Sequence, residues 1–195
     1  MQVKSQLRLS GGRKLHSPKG VGTRPTTAKV REAVMNILGQ KIQGCNWLDL
    51  CSGSGAMSCE ALQRGARRVL AVEKDKQTAR ICQTNICSIA TALSEESFVE
   101  VICQEVISLL RKGCQHSQAA REQRPKFDIV YFDPPYESKI HSIVFEKLLE
   151  GNWLKQDSLV ICEHSSSFNL DAPDKWTRKG ERIYGRTALL LISPP

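Results

Sequence analysis

At 195 residues, with 41% hydrophobic and 25% charged side chains, the chain has the size and balance of one globular domain with a sizeable core. No apolar run approaches the roughly 20 residues that cross a bilayer, and "MQVKSQLRLS" holds no apolar signal-peptide core, so a cytoplasmic protein without a membrane helix is expected. The formal charge of +8 is concentrated, because eight basic residues and no acid occur up to Arg31 while the remaining 20 Lys and Arg offset the 20 Asp and Glu, and such a leader points to a polyanion, most simply nucleic acid.

In chain order, "LRLSGGRKL" predicts two short extended pieces around a glycine turn, with Leu7 and Leu9 on one side and Arg8 on the other. "RPTTAKVREAVMNIL" predicts a helix capped by Thr26 or Thr27, burying Val30, Ala33, Val34, Ile37 and Leu38 and leaving Lys29 and Arg31 exposed. After "GQKIQG" the pattern changes to strand–helix alternation. "CNWLDL", "RRVLAVEK", "FVEVIC", "FDIVYFD" and "SLVICE" read as five strands. Helices are expected through Leu62, over 77–88, near Val106–Leu110 and in "HSIVFEKLLEG". "WTRKGERIYGRTALLLIS" adds a strand pair around Tyr184 and Gly185. Near-continuous apolar strands separated by helices predict an α/β fold: a mainly parallel, seven-stranded sheet covered on both faces. A basic extension (1–39) precedes the sheet-forming domain (40–195).

Two features predict no chemistry. The polar segment 111–126 enters the fourth strand at its N-terminal end, away from the strand ends that carry ligand sites in this architecture. The eight cysteines form no Cys-x-x-Cys pair and several lie in apolar segments, so they are expected to be reduced structural thiols and no metal site is expected.

The first candidate site follows strand one. In "WLDLCSGSGAMSCEAL", Gly53 and Gly55 allow a tight turn and close backbone approach by a ligand. Ser58 interrupts the G-x-G-x-x-G pattern, and no Gly-Lys-Ser/Thr follows to make a phosphate-binding loop. Glu73 closes strand two, 24 residues after Asp49, where an acid can accept hydrogen bonds from two ribose hydroxyls. Asp49 would repel a pyrophosphate but suits a ligand carrying ammonium and sulfonium groups, which favours S-adenosylmethionine over NAD. Glu105, just beyond strand three, stands where its side chain or neighbouring backbone would meet an adenine edge.

The second site is "DPPY" at the end of strand four. Asp133 and the Pro134 carbonyl supply acceptors, Pro134 and Pro135 stiffen the backbone, and Tyr136 adds a flat ring. A base with an exocyclic amine fits this set: the two oxygens each accept one amino hydrogen while Tyr136 stacks on the ring. Acceptors aimed out of the base plane favour a pyramidal nitrogen and strengthen as charge develops on it.

With both sites present, the sequence resembles the RsmD family of methyltransferases, most clearly in "GTRPTTAKVREAVMNIL", "WLDLCSGSGAMSCEALQRGA", "AVEKD", Asn85 in "TNI", "FDIVYFDPPY" and "YGRTALLLI". The resemblance implies a Rossmann-like class I S-adenosylmethionine-dependent fold and methylation of guanine N2 in 16S rRNA of the small ribosomal subunit or its assembly intermediate. It implies that Asp49, Ser52, Gly53 and Gly55 line the methionine side of the cofactor site, that Glu73 faces ribose, and that Asp133, Pro134, Pro135 and Tyr136 hold the guanine. Arg8, Arg13, Lys14, Arg24 and Thr26 are expected to position RNA. Magnesium would serve the RNA and not the active site. In this chain "GGRKL" replaces a longer Gly-Gly-x-Trp-Arg-Gly-Arg-Lys-like stretch, and Glu105 stands where the pattern more often has Asn or Asp. A monomer is expected. The competing readings are adenine N6 methylation of DNA and a non-catalytic RNA-binding assembly factor.

Overall fold

The computed structural model describes residues 7–18, 26–93, 96–114, 125–135 and 138–195. Seven strands form one sheet: β1 (Asn46–Leu50), β2 (Arg68–Glu73), β3 (Phe98–Cys103), β4 (Phe127–Phe132), β5 (Leu154–Ser165), β6 (Thr177–Tyr184) and β7 (Thr187–Ser193). Their order is β3-β2-β1-β4-β5-β7-β6. The first five are parallel, while β7 runs antiparallel to both β5 and β6. Among the described residues five α-helices, α1 (Ala28–Leu38), α2 (Ala56–Gln63), α3 (Lys76–Ala90), α4 (Val106–Leu110) and α5 (His141–Glu150), accompany the sheet.

Both faces of the central strands are buried, which explains their near-continuous apolar runs. On one face Trp47, Ile129, Tyr131, Ile161 and Leu189 pack with α1, α2 and α3. On the other, Leu48, Leu50, Val130, Phe132 and Leu190 pack with α4 and α5. Trp153 lies in this second layer, stacked on Phe127 at 6.1 Å, and its indole donates to the Leu110 carbonyl at 3.1 Å. A fully buried indole thus satisfies its one polar group.

Local signals set the element ends. Thr27 caps α1 by accepting from the Val30 amide, and Asp75 caps α3 by accepting from the amide and hydroxyl of Thr78. The leader forms the expected turn, with an antiparallel bridge between Arg8 and Lys14, Gly12 at φ +81°, Leu9 buried and Arg8 exposed. All eight cysteines are free thiols, and Cys103 is exposed.

One expectation is overturned within α1. Arg31 is only 2% exposed, and Met35 joins the buried face while Ala33 and Ile37 are half-buried. The apolar stripe is therefore rotated, and Arg31 enters the interior because α2 supplies an equally buried carboxylate, Glu60, at 3.4 Å. Most of the polar 111–126 connection lies outside the described residues.

Candidate functional site

The strand order reverses at β1, which β2 flanks on one side and β4 on the other. In parallel sheets the crevice beyond the strand ends at such a reversal is the natural ligand site. The register pairs Leu50 with Phe132, and the Asp133 amide donates to the Leu50 carbonyl at 3.3 Å. The glycine turn and the acid-proline segment, 80 positions apart from Gly53 to Asp133, are thereby carried by adjacent strand ends.

The turn after β1 is tightly wound. Cys51, Gly53 and Gly55 adopt φ of 64°, 53° and 77°. At Gly55 a Cβ would stand 2.8 Å from Cys82 Sγ and 3.2 Å from Ile86, so its absence lets the turn press on α3. At Gly53 a Cβ would meet nothing within 4 Å, leaving an open approach to the backbone. Glu73 spans the neighbouring turns: one carboxylate oxygen accepts from the Gly53 amide at 3.0 Å and the other from the Asp75 amide at 2.9 Å. Ser52 donates its amide to the Val72 carbonyl, and its hydroxyl lies 3.4 Å from Cys82 Sγ. Burial pushes the Cys82 thiol up to about 12, so it is a packing group.

Asp49 lies beneath this turn at 1% exposure and accepts a hydrogen bond from the Ser58 hydroxyl. Burial raises its carboxyl to about 7, opposed by the Ser58 hydrogen bonds and assisted by the charge of Glu73. A buried acid poised near neutrality, beside an open glycine backbone and a strand-end carboxylate, fits a cationic nucleoside ligand. Ser58, which breaks the glycine fingerprint, is the residue that satisfies Asp49.

Glu105 stands at the entry to α4. Its carboxylate caps α4, accepting from the amides of Ile107 at 3.0 Å and Ser108 at 2.8 Å. Burial works to raise its pKa, but these hydrogen bonds outweigh it and the net shift is downward. The side chain is thus engaged as a helix cap.

At the second motif, Asp133 is half-buried, Pro134 buried and Pro135 exposed, with the Ser138 amide donating to the Pro135 carbonyl at 2.8 Å. Tyr136 lies outside the described residues, as does Arg24 of the leader. Directly below, the Tyr131 hydroxyl donates to the buried carboxylate of Glu163 on β5, and burial holds the phenol well above its usual range.

The leader reaches both motifs. Arg8, Arg13 and Lys14 are exposed on the hairpin; Arg8 donates to the Gly12 carbonyl and Arg13 to the carbonyl and hydroxyl of Ser88 on α3. Asn85 accepts from the His16 amide and donates to the carbonyls of His16 and Ser54, joining the leader to the glycine turn. Thr26 donates its hydroxyl to Asp133 Oδ2 at 3.0 Å. Arg31 and Glu60 were not among the residues expected here. The signal was Glu60 itself, a carboxylate in the otherwise apolar helix "AMSCEAL", which demands a buried cationic partner.

Among the described residues no group of three or more His, Cys, Asp or Glu is placed to hold a metal ion, and no helix is long and apolar enough to cross a membrane.

A seven-stranded sheet of this order, with a glycine turn and an acid-proline motif at its switch point, defines a Rossmann-like S-adenosylmethionine-dependent methyltransferase. Residues 9–193 match the family described as Conserved hypothetical protein 95. The chain is 33% identical to ribosomal RNA small subunit methyltransferase D of Haemophilus influenzae over 174 residues, covering 89% of this chain and 84% of that one. The enzyme of the same name from Escherichia coli K12 is 29% identical over 192 residues, covering 95% and 89%. The solved structure of a putative methyltransferase from Escherichia coli superposes with a TM-score of 0.77 at 28% identity, covering 97% of this chain and 98% of that one. The chain belongs to the ribosomal RNA small subunit methyltransferase D family.

Proposed function

We propose that the protein methylates the exocyclic N2 amine of a specific guanine in 16S rRNA of the small ribosomal subunit, using S-adenosylmethionine. The observation that carries this reading is the hydrogen-bonded junction of Leu50 and Asp133, which brings a nucleoside-fitting turn beside an amine-binding motif in a chain of this family.

The residues of the turn fit the cofactor. Glu73 would accept from the ribose hydroxyls, Ser52 and Gly53 would admit the methionine part against open backbone, and Gly55 would hold that turn against α3. Asp49 would supply the charge that complements ammonium and sulfonium. Glu105, or the backbone beside it at the entry to α4, would meet the adenine edge. When bound, S-adenosylmethionine supplies an electrophilic methyl group on a positively charged sulfur.

Asp133 and the Pro134 carbonyl accept the two N2 hydrogens and hold the nitrogen lone pair toward the cofactor side. Acceptors pointed at a nitrogen that becomes positive stabilise the transition state more than the ground state. Pro134 and Pro135 restrict the backbone that carries these oxygens, so part of the rate gain is positional. Tyr136 would stack on the base. Asp133 need not be a strong base, because the methylated ammonium is acidic and loses its proton readily. Residues 1–39 act as the RNA-binding extension, with Arg8, Arg13, Lys14 and Arg24 contacting phosphates; RNA shape and an unstacked loop nucleotide select the guanine.

The test is incubation with 30S particles from cells lacking the endogenous enzyme, using labelled S-adenosylmethionine. N2-methylguanosine is expected in the digested RNA. Its absence under conditions that retain cofactor binding rejects the reading, and rapid labelling of duplex DNA with none of the particles favours adenine N6 chemistry. Full biological function in Asp133→Ala would favour a non-catalytic assembly factor.

A further inference from the structure

Arg31 is the least expected residue of the leader. The residue is 2% exposed, yet its guanidinium reaches three separate pieces of chain. Nη1 donates to the Thr26 carbonyl at 2.7 Å, Nη2 donates to the Arg8 carbonyl, and Nε lies 3.4 Å from Glu60 Oε1. That same carboxylate oxygen accepts from the amide and hydroxyl of Ser10 at 2.9 and 3.0 Å. The hairpin, the α1 entry and α2 therefore meet at one buried ion pair. Arginine suits this because its planar fork serves several acceptors at fixed angles, which a lysine ammonium does not.

The chain of contacts ends at the amine-binding motif. Thr26, held through its carbonyl by Arg31, donates its hydroxyl to Asp133 Oδ2 at 3.0 Å. A donor on one carboxylate oxygen restrains rotation about the Cβ–Cγ bond and so helps to set the direction of the second oxygen. Aim matters at this position, because an acceptor turned into the base plane would favour the flat, unreactive amine.

We propose that Thr26 and Arg31 are positioning residues for Asp133: Arg31, neutralised by Glu60, holds Thr26 so that its hydroxyl orients the carboxylate that receives the target amine. This rests on the proposed base-binding role of Asp133 and gives Thr26 an intramolecular task in place of the expected RNA contact. It also ties Arg8 and Asp133 to one cation, so the docking surface and the reacting end of the site are held in register.

Thr26→Val and Thr26→Ser separate this role from others, since Thr26 is half-buried and neither change alters side-chain volume greatly. In Thr26→Val, kcat on 30S particles is expected to fall about tenfold or more, the rate equivalent of one directed hydrogen bond. Particle affinity should stay within about threefold, and Thr26→Ser should restore kcat to within about threefold of the parent. Arg31→Lys should lower kcat in the same direction with Thr26 unchanged. A carboxylate 13C NMR signal assigned to Asp133 in the ligand-free protein should move in Thr26→Val and not in Thr26→Ser.

Unchanged kcat and an unmoved Asp133 signal in Thr26→Val would overturn the proposal, as would a loss confined to particle affinity, which returns Thr26 to RNA binding. Equal losses in the Ser and Val variants also reject it. If the parent protein methylates no guanine, the functional reading fails while the carboxylate signal still decides the Thr26–Asp133 coupling.

Discussion

The buried carboxyl of Asp49 makes cofactor affinity pH-dependent in a calculable way. With its pKa raised to about 7, half of the ligand-free protein carries a protonated, neutral Asp49 at neutral pH. A cationic ligand that prefers the ionised form lowers that pKa on binding and releases a proton. Apparent affinity then follows the ionised fraction, which rises from about one-eleventh at pH 6 to about ten-elevenths at pH 8, roughly a tenfold gain. Calorimetric titration with S-adenosylmethionine at pH 6, 7 and 8 measures it. The ligand's own amino group titrates nearby, so the reference is Asp49→Asn, which retains the ligand term and loses the protein term. The demethylated product, which keeps the ammonium but lacks the sulfonium charge, shows which cation Asp49 serves: a slope with both ligands assigns the ammonium, and a slope with the cofactor alone assigns the sulfonium. Equal slopes in the parent and Asp49→Asn would refute the reasoning. The stability sign is opposite. Because the folded-state pKa is raised from 3.8, the folded protein holds a proton that the unfolded chain releases between about pH 4 and 7, so stability falls as pH rises through that window. Three units correspond to on the order of 4 kcal/mol. Asp49→Asn should therefore unfold later in urea at pH 8 while binding cofactor more weakly.

Two further perturbations have distinct expected readings. Gly53→Ala and Gly55→Ala share a positive-φ penalty of about 1–2 kcal/mol, but only the Gly55 methyl also meets Cys82 and Ile86, so the Gly55 variant should show the larger drop in urea midpoint; equal drops would mean that α3 yields to the added carbon. Lys14→Ala should reduce the slope of log affinity against log salt for the RNA by about 0.7–0.9, the share of one phosphate contact, and an unchanged slope removes Lys14 from the interface.

The fold was legible because its determinants are local and repeated. Five apolar strands, the first four each followed by a helical run, leave few arrangements other than a mainly parallel sheet covered on both sides. The two motifs were legible for the same reason: Gly53 and Gly55 permit the positive-φ turn that other residues disfavour, and Pro134 and Pro135 restrict their own backbone beside Asp133. The fate of polar side chains was not, because it depends on partners brought together from distant parts of the chain. Arg31 reads as one more leader cation until Glu60 is known to face it, 29 positions on. Glu105 reads as an open acid until α4 begins immediately after it and takes both oxygens. Ser58 reads as a broken glycine fingerprint until Asp49 is found beneath it.

These interactions also explain how a basic leader becomes part of a site. A solvated run of Lys and Arg would attract RNA but could not hold it in any one orientation, since phosphate contacts through long side chains tolerate many. Here two buried polar side chains remove that freedom from the leader itself. Asn85 ties the leader at His16 to the Ser54 carbonyl of the glycine turn, and Arg31 ties it at Arg8 and Thr26 to the neighbourhood of Asp133. Burying a guanidinium requires a partner to offset its desolvation, and truncating one member of such a pair is strongly destabilising. Arg31 and Glu60 thus define a register between the basic hairpin and the strand ends that a purely apolar contact, free to slide, would not. On the proposed reading, the exposed cations would set how strongly the leader attracts a polyanion, and the buried one where that attraction is delivered relative to Asp133.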